Sequence, residues 1–256
     1  MQDLTIALVQ ANQHWEDKQA NIINYSSLLS NINSVDVIVL PEMCTTGFTM
    51  NAHELAEEFS TSSSLNWLKE LAESKNSAIF TSLIIEDEGK FRNRGVFVEP
   101  NGTIHFYDKR KTFGLAGEDK VFSAGEEEKI ISFRGWKIQL QICYDLRFPE
   151  IVRNRLTDVG SAAYDLILYT ANWPAKRSHH WNSLLTARAI ENQCYVVAVN
   201  RTGEDGKGLV YSGDSCVIDA MGDSMLHLSK EEVKVVTISK ENLIQIREQL
   251  PFLKDR

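Results

Sequence analysis

Cysteine is scarce, with four in 256 residues, at positions 44, 143, 194 and 216. None stands in a C-x-x-C pair, which argues against a structural zinc site and more strongly against a disulfide framework. Reduced thiols in a cytoplasmic protein are the expectation. Long apolar runs are missing as well. No stretch approaches the roughly 18 residues that a membrane helix needs. The start, Met1-Gln2-Asp3-Leu4-Thr5-Ile6-Ala7-Leu8-Val9, shows neither the basic n-region nor the apolar length of a signal peptide. Positive charge is in deficit: 27 Lys and Arg against 35 Asp and Glu leave a net charge of −8. That balance excludes nucleic acid and anionic membranes as general partners, because both demand a basic surface. A local basic pocket for a small anion is compatible with it. Pro/Gly/Ser linkers, internal repeats and low-complexity tracts are also absent. With 43% apolar residues, the chain has side chains enough for a large core, and a single domain over 1–256 is expected.

Apolar runs and amphipathic stretches alternate. Residues 4–9 and 35–40 read as buried strands; between them Ile22, Tyr25, Leu29 and Ile32 recur at helical spacing. Leu65, Leu68, Leu71 and Ala72 repeat that pattern before a third strand at 78–85. Hairpins follow at 95–108, around Pro100-Asn101-Gly102, and at 130–142, around Arg134-Gly135. A short helix is expected after Pro149, then a strand at 165–170, a helix at 178–193 and a strand at 194–199. The remainder reads as hairpin (209–218, then 233–239) with a last helix near 241–249. Gly203-Glu204-Asp205-Gly206-Lys207-Gly208 lacks the spacing of a phosphate loop and reads as a flexible turn. Buried strands mixed with hairpins and layered helices suggest one α/β sandwich.

Three predicted strands run directly into reactive side chains. The strand at 35–40 leads to Pro41-Glu42-Met43, that at 103–108 to Lys109-Arg110-Lys111, and that at 136–142 to Cys143-Tyr144-Asp145-Leu146-Arg147-Phe148-Pro149-Glu150. Strand ends are where α/β folds assemble ligand sites. Taken singly these are weak signals, since a lone Cys after an apolar strand is usually an inert core thiol. Together they supply a nucleophile, a proton acceptor and a cation. A thiol near its ordinary pKa is only a few per cent thiolate at neutral pH, so it needs a base or a cation beside it. An ammonium also stabilises the oxyanion of a tetrahedral intermediate.

These motifs, in this order, resemble the nitrilase superfamily of carbon–nitrogen hydrolases, and the likeness runs from Ala7-Leu8-Val9-Gln10 to Tyr211-Ser212-Gly213-Asp214-Ser215. The resemblance implies a four-layer α-β-β-α sandwich, a homodimer, and thioester chemistry that needs no metal or organic cofactor. It implies Cys143 as nucleophile, Glu42 as general base, Lys109 and the Tyr144 backbone N–H as oxyanion donors, and Glu118 as a second carboxylate that orients Lys109 or shuttles protons. The chain departs from the family where a histidine often stands two residues after the lysine; that place is Lys111.

Ala171-Asn172-Trp173-Pro174-Ala175-Lys176-Arg177, His180-Trp181 and the stretch Thr186 to Gln193 resemble the ω-amidase branch. Its members hydrolyse the side-chain amide of 2-oxo dicarboxylic acid monoamides such as 2-oxoglutaramate. A small-molecule amide of that kind carries one carboxylate, so Arg177 and Arg147 are candidates to bind it, with Trp173 and Phe48 as walls of the acyl pocket. Rival readings are a nitrile, carbamoyl or other aliphatic amide substrate on the same triad, and a catalytically silent binding or scaffold protein on the same fold. His179-His180 raises a Cys–His protease, which a complete Glu-Lys-Cys set makes redundant.

Overall fold

A computed structural model describes residues 2–256 of the chain. Side-chain alternation along the strands sets up its layers, since successive residues of a strand face opposite ways. On Leu4–Gln10, the side chains of Leu4, Ile6 and Leu8 enter a core shared with a second sheet, while Ala7 and Val9 enter a separate core beneath helices. The first sheet runs Glu232–Ile238, Leu4–Gln10, Val37–Val39, Ala78–Asp87, Lys90–Val98, Ile104–Asp108, with Glu57–Glu58 also paired to Ala78–Asp87. The second runs Ser224–His227, Cys216–Ile218, Tyr195–Asn200, Leu166–Ala171, Trp136–Ile142, Ile130–Phe133. In each sheet three central strands are parallel and the flanking pairings antiparallel, apart from Glu57–Glu58, which pairs parallel to Ala78–Asp87. Parallel strands need crossovers, and three of the four here carry the helices Lys18–Leu28, Ser63–Lys75 and Ser178–Asn192, the one after Trp136–Ile142 holding only 3-10 turns.

Helices Lys18–Leu28 and Ser63–Lys75 cover the outer face of the first sheet, burying Tyr25, Leu65, Leu68 and Leu71 against Val9, Ile38 and Ile79. Both start at a side-chain cap: Asp17 accepts from Ala20 N–H and Ser62 from Leu65 N–H, satisfying donors with no intrahelical partner. Helices Ser178–Asn192 and Lys240–Gln249 cover the second sheet through Trp181, Leu185, Ala189 and Leu243. The result is the expected α-β-β-α sandwich. Hydrogen bonds also cross between the sheets. Thr170 Oγ1 donates to Leu40 O at 2.7 Å and Ser215 N to Gln10 Oε1 at 2.9 Å.

Three expectations need correction. The run 209–218 is not one strand of a hairpin. Gly213 and Asp214, at φ of 79° and 60°, turn the chain, so that Val210–Ser212 pairs with Thr202–Glu204 while Cys216–Ile218 joins the second sheet. The helix expected after Pro149 is only a 3-10 turn, Pro149–Ile151. The segment 203–208 is not a slack turn but the end of one strand and the tip of a pinned hairpin. Among the described residues no helix is long and apolar enough to cross a membrane.

Candidate active site

The first sheet delivers two of the expected reactive groups and the second delivers the third. Glu42 follows Val37–Val39 and is fully buried. Its turn is held by Thr81 Oγ1 donating to Pro41 O (2.6 Å) and Met43 N donating to Ser82 Oγ (2.8 Å), with Met43 at a φ of 46°. Lys109 follows Ile104–Asp108 and is likewise buried. Its backbone N–H donates to Asn93 O (3.0 Å) and its carbonyl accepts from Gly125 N–H (2.9 Å). A Cβ on Gly125 would fall 2.3 Å from Asp108 O, so only glycine lets that loop approach. Cys143 follows Trp136–Ile142 at a φ of 47°, an uncommon conformation for a residue with a side chain, which bends the strand sharply into a 3-10 turn.

The three groups meet. Lys109 Nζ donates to Glu42 Oε1 and to both oxygens of Glu118, each at 2.9 Å. Glu42 Oε1 also accepts from Asn93 Nδ2 (2.8 Å) and Oε2 from Asn172 N–H (2.8 Å). Glu118 accepts in addition from Phe113 N–H (2.6 Å) and from Asn93 Nδ2 (3.2 Å). Cys143 Sγ lies 3.9 Å from Asn172 O. Burial pushes the Cys143 thiol well above its usual pKa and the Glu42 charge adds to that, while Lys109 pulls the other way. For Lys109 burial favours the neutral amine, but the carboxylates of Glu118 and Glu42 outweigh it and keep the ammonium charged. The site therefore sets a thiol beside a carboxylate–ammonium–carboxylate cluster.

Lys111 does not compete with Lys109. Its Nζ sits over the Phe148 ring (4.7 Å) and 4.0 Å from Glu150, and it does not line the cleft above Cys143. Its backbone N–H donates to Asp145 Oδ1 at 2.9 Å. Asp145 also accepts from Ile142 N–H (3.0 Å) and from Tyr107 O–H (2.9 Å), which ties the cysteine turn to the lysine strand. Burial pushes its carboxyl up to about 6, against those donors and the Lys109 charge. The Tyr144 N–H stands at the second position of the turn, where a backbone donor has no partner within it.

Cys143 opens onto a cleft. Phe48, Phe113, Tyr144, Trp173 and Tyr211 wall it. Both arginines singled out from the sequence line it too, laid on aromatic rings: Arg147 lies 4.8 Å from the Trp173 centroid and Arg177 5.3 Å from that of Phe113. Neither forms an ion pair with a carboxylate among the described residues. Arg147 Nη2 reaches only His180 Nδ1, at 3.2 Å. Every candidate site residue thus lies at the cleft or in the charged cluster below it.

Sequence reasoning missed Asn93, whose amide bridges the two glutamates, and the part of Asn172, whose backbone N–H reaches Glu42 and whose side-chain Nδ2 holds the Glu42 carbonyl at 2.6 Å. The signal for Asn93 was slight: a poor strand former placed inside a strand. Asn172 sat in a motif noted for other reasons.

A thiol, carboxylate and ammonium sharing one buried site, with an open cleft above the sulfur, are the equipment of a cysteine hydrolase acting on acyl compounds. The carbon-nitrogen hydrolase family profile matches residues 5–248, and the chain belongs to that family. It is similar to omega-amidase YafV of Escherichia coli K12, 43% identical over all of this chain and 97% of the relative. It is also similar to the 2-oxoglutaramate amidase of Bacillus subtilis, 36% identical over 86% of this chain and 84% of that protein. Among solved structures, XC1258 of Xanthomonas campestris, a CN-hydrolase superfamily protein with an arsenic adduct in its active site, superposes with a TM-score of 0.97. It is 39% identical, over all of this chain and 98% of that one.

Proposed function

We propose that this carbon–nitrogen hydrolase is an ω-amidase, which removes ammonia from the side-chain amide of 2-oxo dicarboxylic acid monoamides such as 2-oxoglutaramate. The observation that carries the reading is the cleft itself, where two guanidiniums without carboxylate partners share aromatic walls with a thiol. The full-length similarity to an omega-amidase and the similarity to a 2-oxoglutaramate amidase support the same substrate class.

The proposed chemistry follows from lone pairs. An ionised carboxylate offers about four acceptor positions. Asn93 and Lys109 occupy Oε1 of Glu42 and the Asn172 N–H one position on Oε2, leaving one for the Cys143 proton. Because burial and Glu42 disfavour a free thiolate, that proton leaves as sulfur attacks the amide carbon, not before. The oxyanion that forms is held by Lys109 Nζ and the Tyr144 N–H. Glu42 then gives its proton to the departing nitrogen, the C–N bond breaks, and ammonia leaves a thioester on Cys143. Water attacks the thioester and loses a proton to Glu42, which returns it to the sulfur as the C–S bond breaks, releasing the acid and restoring both the thiol and the carboxylate. Glu118 orients Lys109 throughout. Arg177 and Arg147 bind the substrate carboxylate, and Phe48 and Trp173 hold its carbon chain.

The reading includes a cytoplasmic homodimer of single-domain subunits. Four free cysteines suit a reducing compartment, and the family resemblance supports the dimer. Light scattering tests the latter: a mass near twice 29.0 kDa is expected.

The deciding assay is ammonia release from 2-oxoglutaramate beside glutamine and a simple nitrile, with Cys143→Ala as blank. Selective, Cys143-dependent release from the oxo-amide is expected. Release only from another amide, with the thioester visible by intact mass, would keep the mechanism and discard the substrate. No turnover of any amide would favour the silent scaffold.

A further inference from the structure

The hairpin Thr202–Glu204/Val210–Ser212 carries a third cation to the same cleft. Its tip supplies Asp205, Lys207 and Leu209 to the lining, and its second strand supplies Tyr211. The tip is built, not slack. Asp205 is buried and its Oδ1 accepts from the backbone N–H of Lys207 (2.8 Å) and Leu209 (3.0 Å), while Oδ2 accepts from Tyr211 O–H (2.9 Å). Gly206 lies against Trp15 so closely that a Cβ there would fall 2.4 Å from the indole. Arg201, buried at the base, donates to Glu204 O, Gln13 O and Asn12 Oδ1 at 3.0–3.1 Å and lies over the Tyr211 ring at 4.7 Å.

Those bonds commit Asp205 to the loop's own donors, and Lys207 is in no ion pair among the described residues. Its Nζ lies 5.9 Å from the Trp15 ring. A protein of net charge −8 repels anions at long range, so an anionic substrate gains most from cations gathered at the mouth of its site. The two arginines rest on Trp173 and Phe113; Lys207 stands on a separate element.

We propose that Lys207 is a specificity-determining residue, a third cation that draws and retains amides whose acyl chain carries a carboxylate and leaves neutral amides unaided. This rests on the ω-amidase reading for its substrate class, though not for the thioester chemistry. Lys207 contributes to binding and not to the reacting atoms, so its loss falls on KM.

The test uses the full chain with Lys207→Gln and Lys207→Glu, assayed on 2-oxoglutaramate and its methyl ester, and on succinamate and its methyl ester. For the acids, KM is expected to rise about fivefold in the glutamine variant and at least about twentyfold in the glutamate variant, with kcat within about twofold. For the esters, both variants are expected to match the wild type. Added salt should lower kcat/KM for the acids less steeply in Lys207→Gln than in the wild type. Acid KM values within twofold of wild type in Lys207→Glu would overturn the proposal and leave the function standing. Turnover of succinamate but not 2-oxoglutaramate would overturn the oxo-acid reading, while the succinamate pair still decides Lys207. A wild type that turns over acids and esters equally, or none of the four, overturns it as well.

Discussion

At the scale of single residues, the site is organised by how few acceptor positions stay open. Glu42 keeps one, because its other three are taken by donors: an ammonium, an amide NH2 and a backbone N–H. Glu42→Gln replaces an acceptor by a donor and removes the proposed base, so acylation should slow by about 10²–10⁴-fold; rapid thioester accumulation by intact mass would contradict that role. Cys143→Ala should abolish turnover while far-UV CD and the melting temperature stay near wild type, since a thiol at the foot of an open cleft contributes little to the core. Asn93→Ala should lower kcat by tenfold or more with KM little changed, because it leaves Glu42 and Glu118 sharing Lys109 without the bridging amide. An unchanged kcat would mean that Lys109 alone sets the geometry.

At the scale of elements, each reactive residue stands where a strand stops, and each stop has a cause. Positive φ at Met43 and Cys143 turns two strands outward, and Asp145 fastens the second turn to the lysine strand. A different junction shows how charge secures helix to sheet. Glu57, beside the first sheet, accepts from Ser62 and Ser63 hydroxyls, from Ser64 N–H and from Lys18 Nζ, joining the starts of two helices. Burial would raise its pKa, but Lys18 and Ser62, followed by the Ser64 N–H, lower it from 4.5 to about 2. A depressed carboxylate stabilises the fold above the unfolded value, and that contribution is lost as pH falls from about 4.5 towards 2. Glu57→Gln should therefore melt below wild type at pH 6, and the gap should close across that window. A gap independent of pH would show that the charge contributes nothing.

At the scale of the whole molecule, the core between the sheets joins the two halves of the chain in one buried cluster. Leu8 of the first sheet and Leu140 and Leu168 of the second belong to one buried cluster. Leu8→Ala should cost about 2–5 kcal/mol, as for other large-to-small core changes. Its urea transition should stay single and coincide by tryptophan fluorescence and CD. Two separated transitions would split the chain into independently folding sheets.

Much of this was legible in the residues alone, because its causes are local. Strand and helix periodicity requires only near neighbours, so most elements appeared close to their observed places. The reactive set appeared too, because Glu42, Lys109 and Cys143 each follow an apolar strand directly. The places where local reading failed have a common cause. Asn93 meets Glu42 across 51 positions and Asn172 meets it across 130; no short window contains such pairs. The break at Gly213-Asp214 and the pinning of the 205–209 tip against Trp15 likewise depend on what lies opposite. The sequence by itself determined which chemical groups this protein owns and that its elements layer as an α/β sandwich, since hydrophobic period and motif are properties of adjacent residues; the four-layer order came only as what the family resemblance implies. Only the tertiary structure decided which oxygen faces which donor and which cations reach the cleft, because hydrogen bonds and charge contacts act over a few ångströms and follow from the stacking of two sheets.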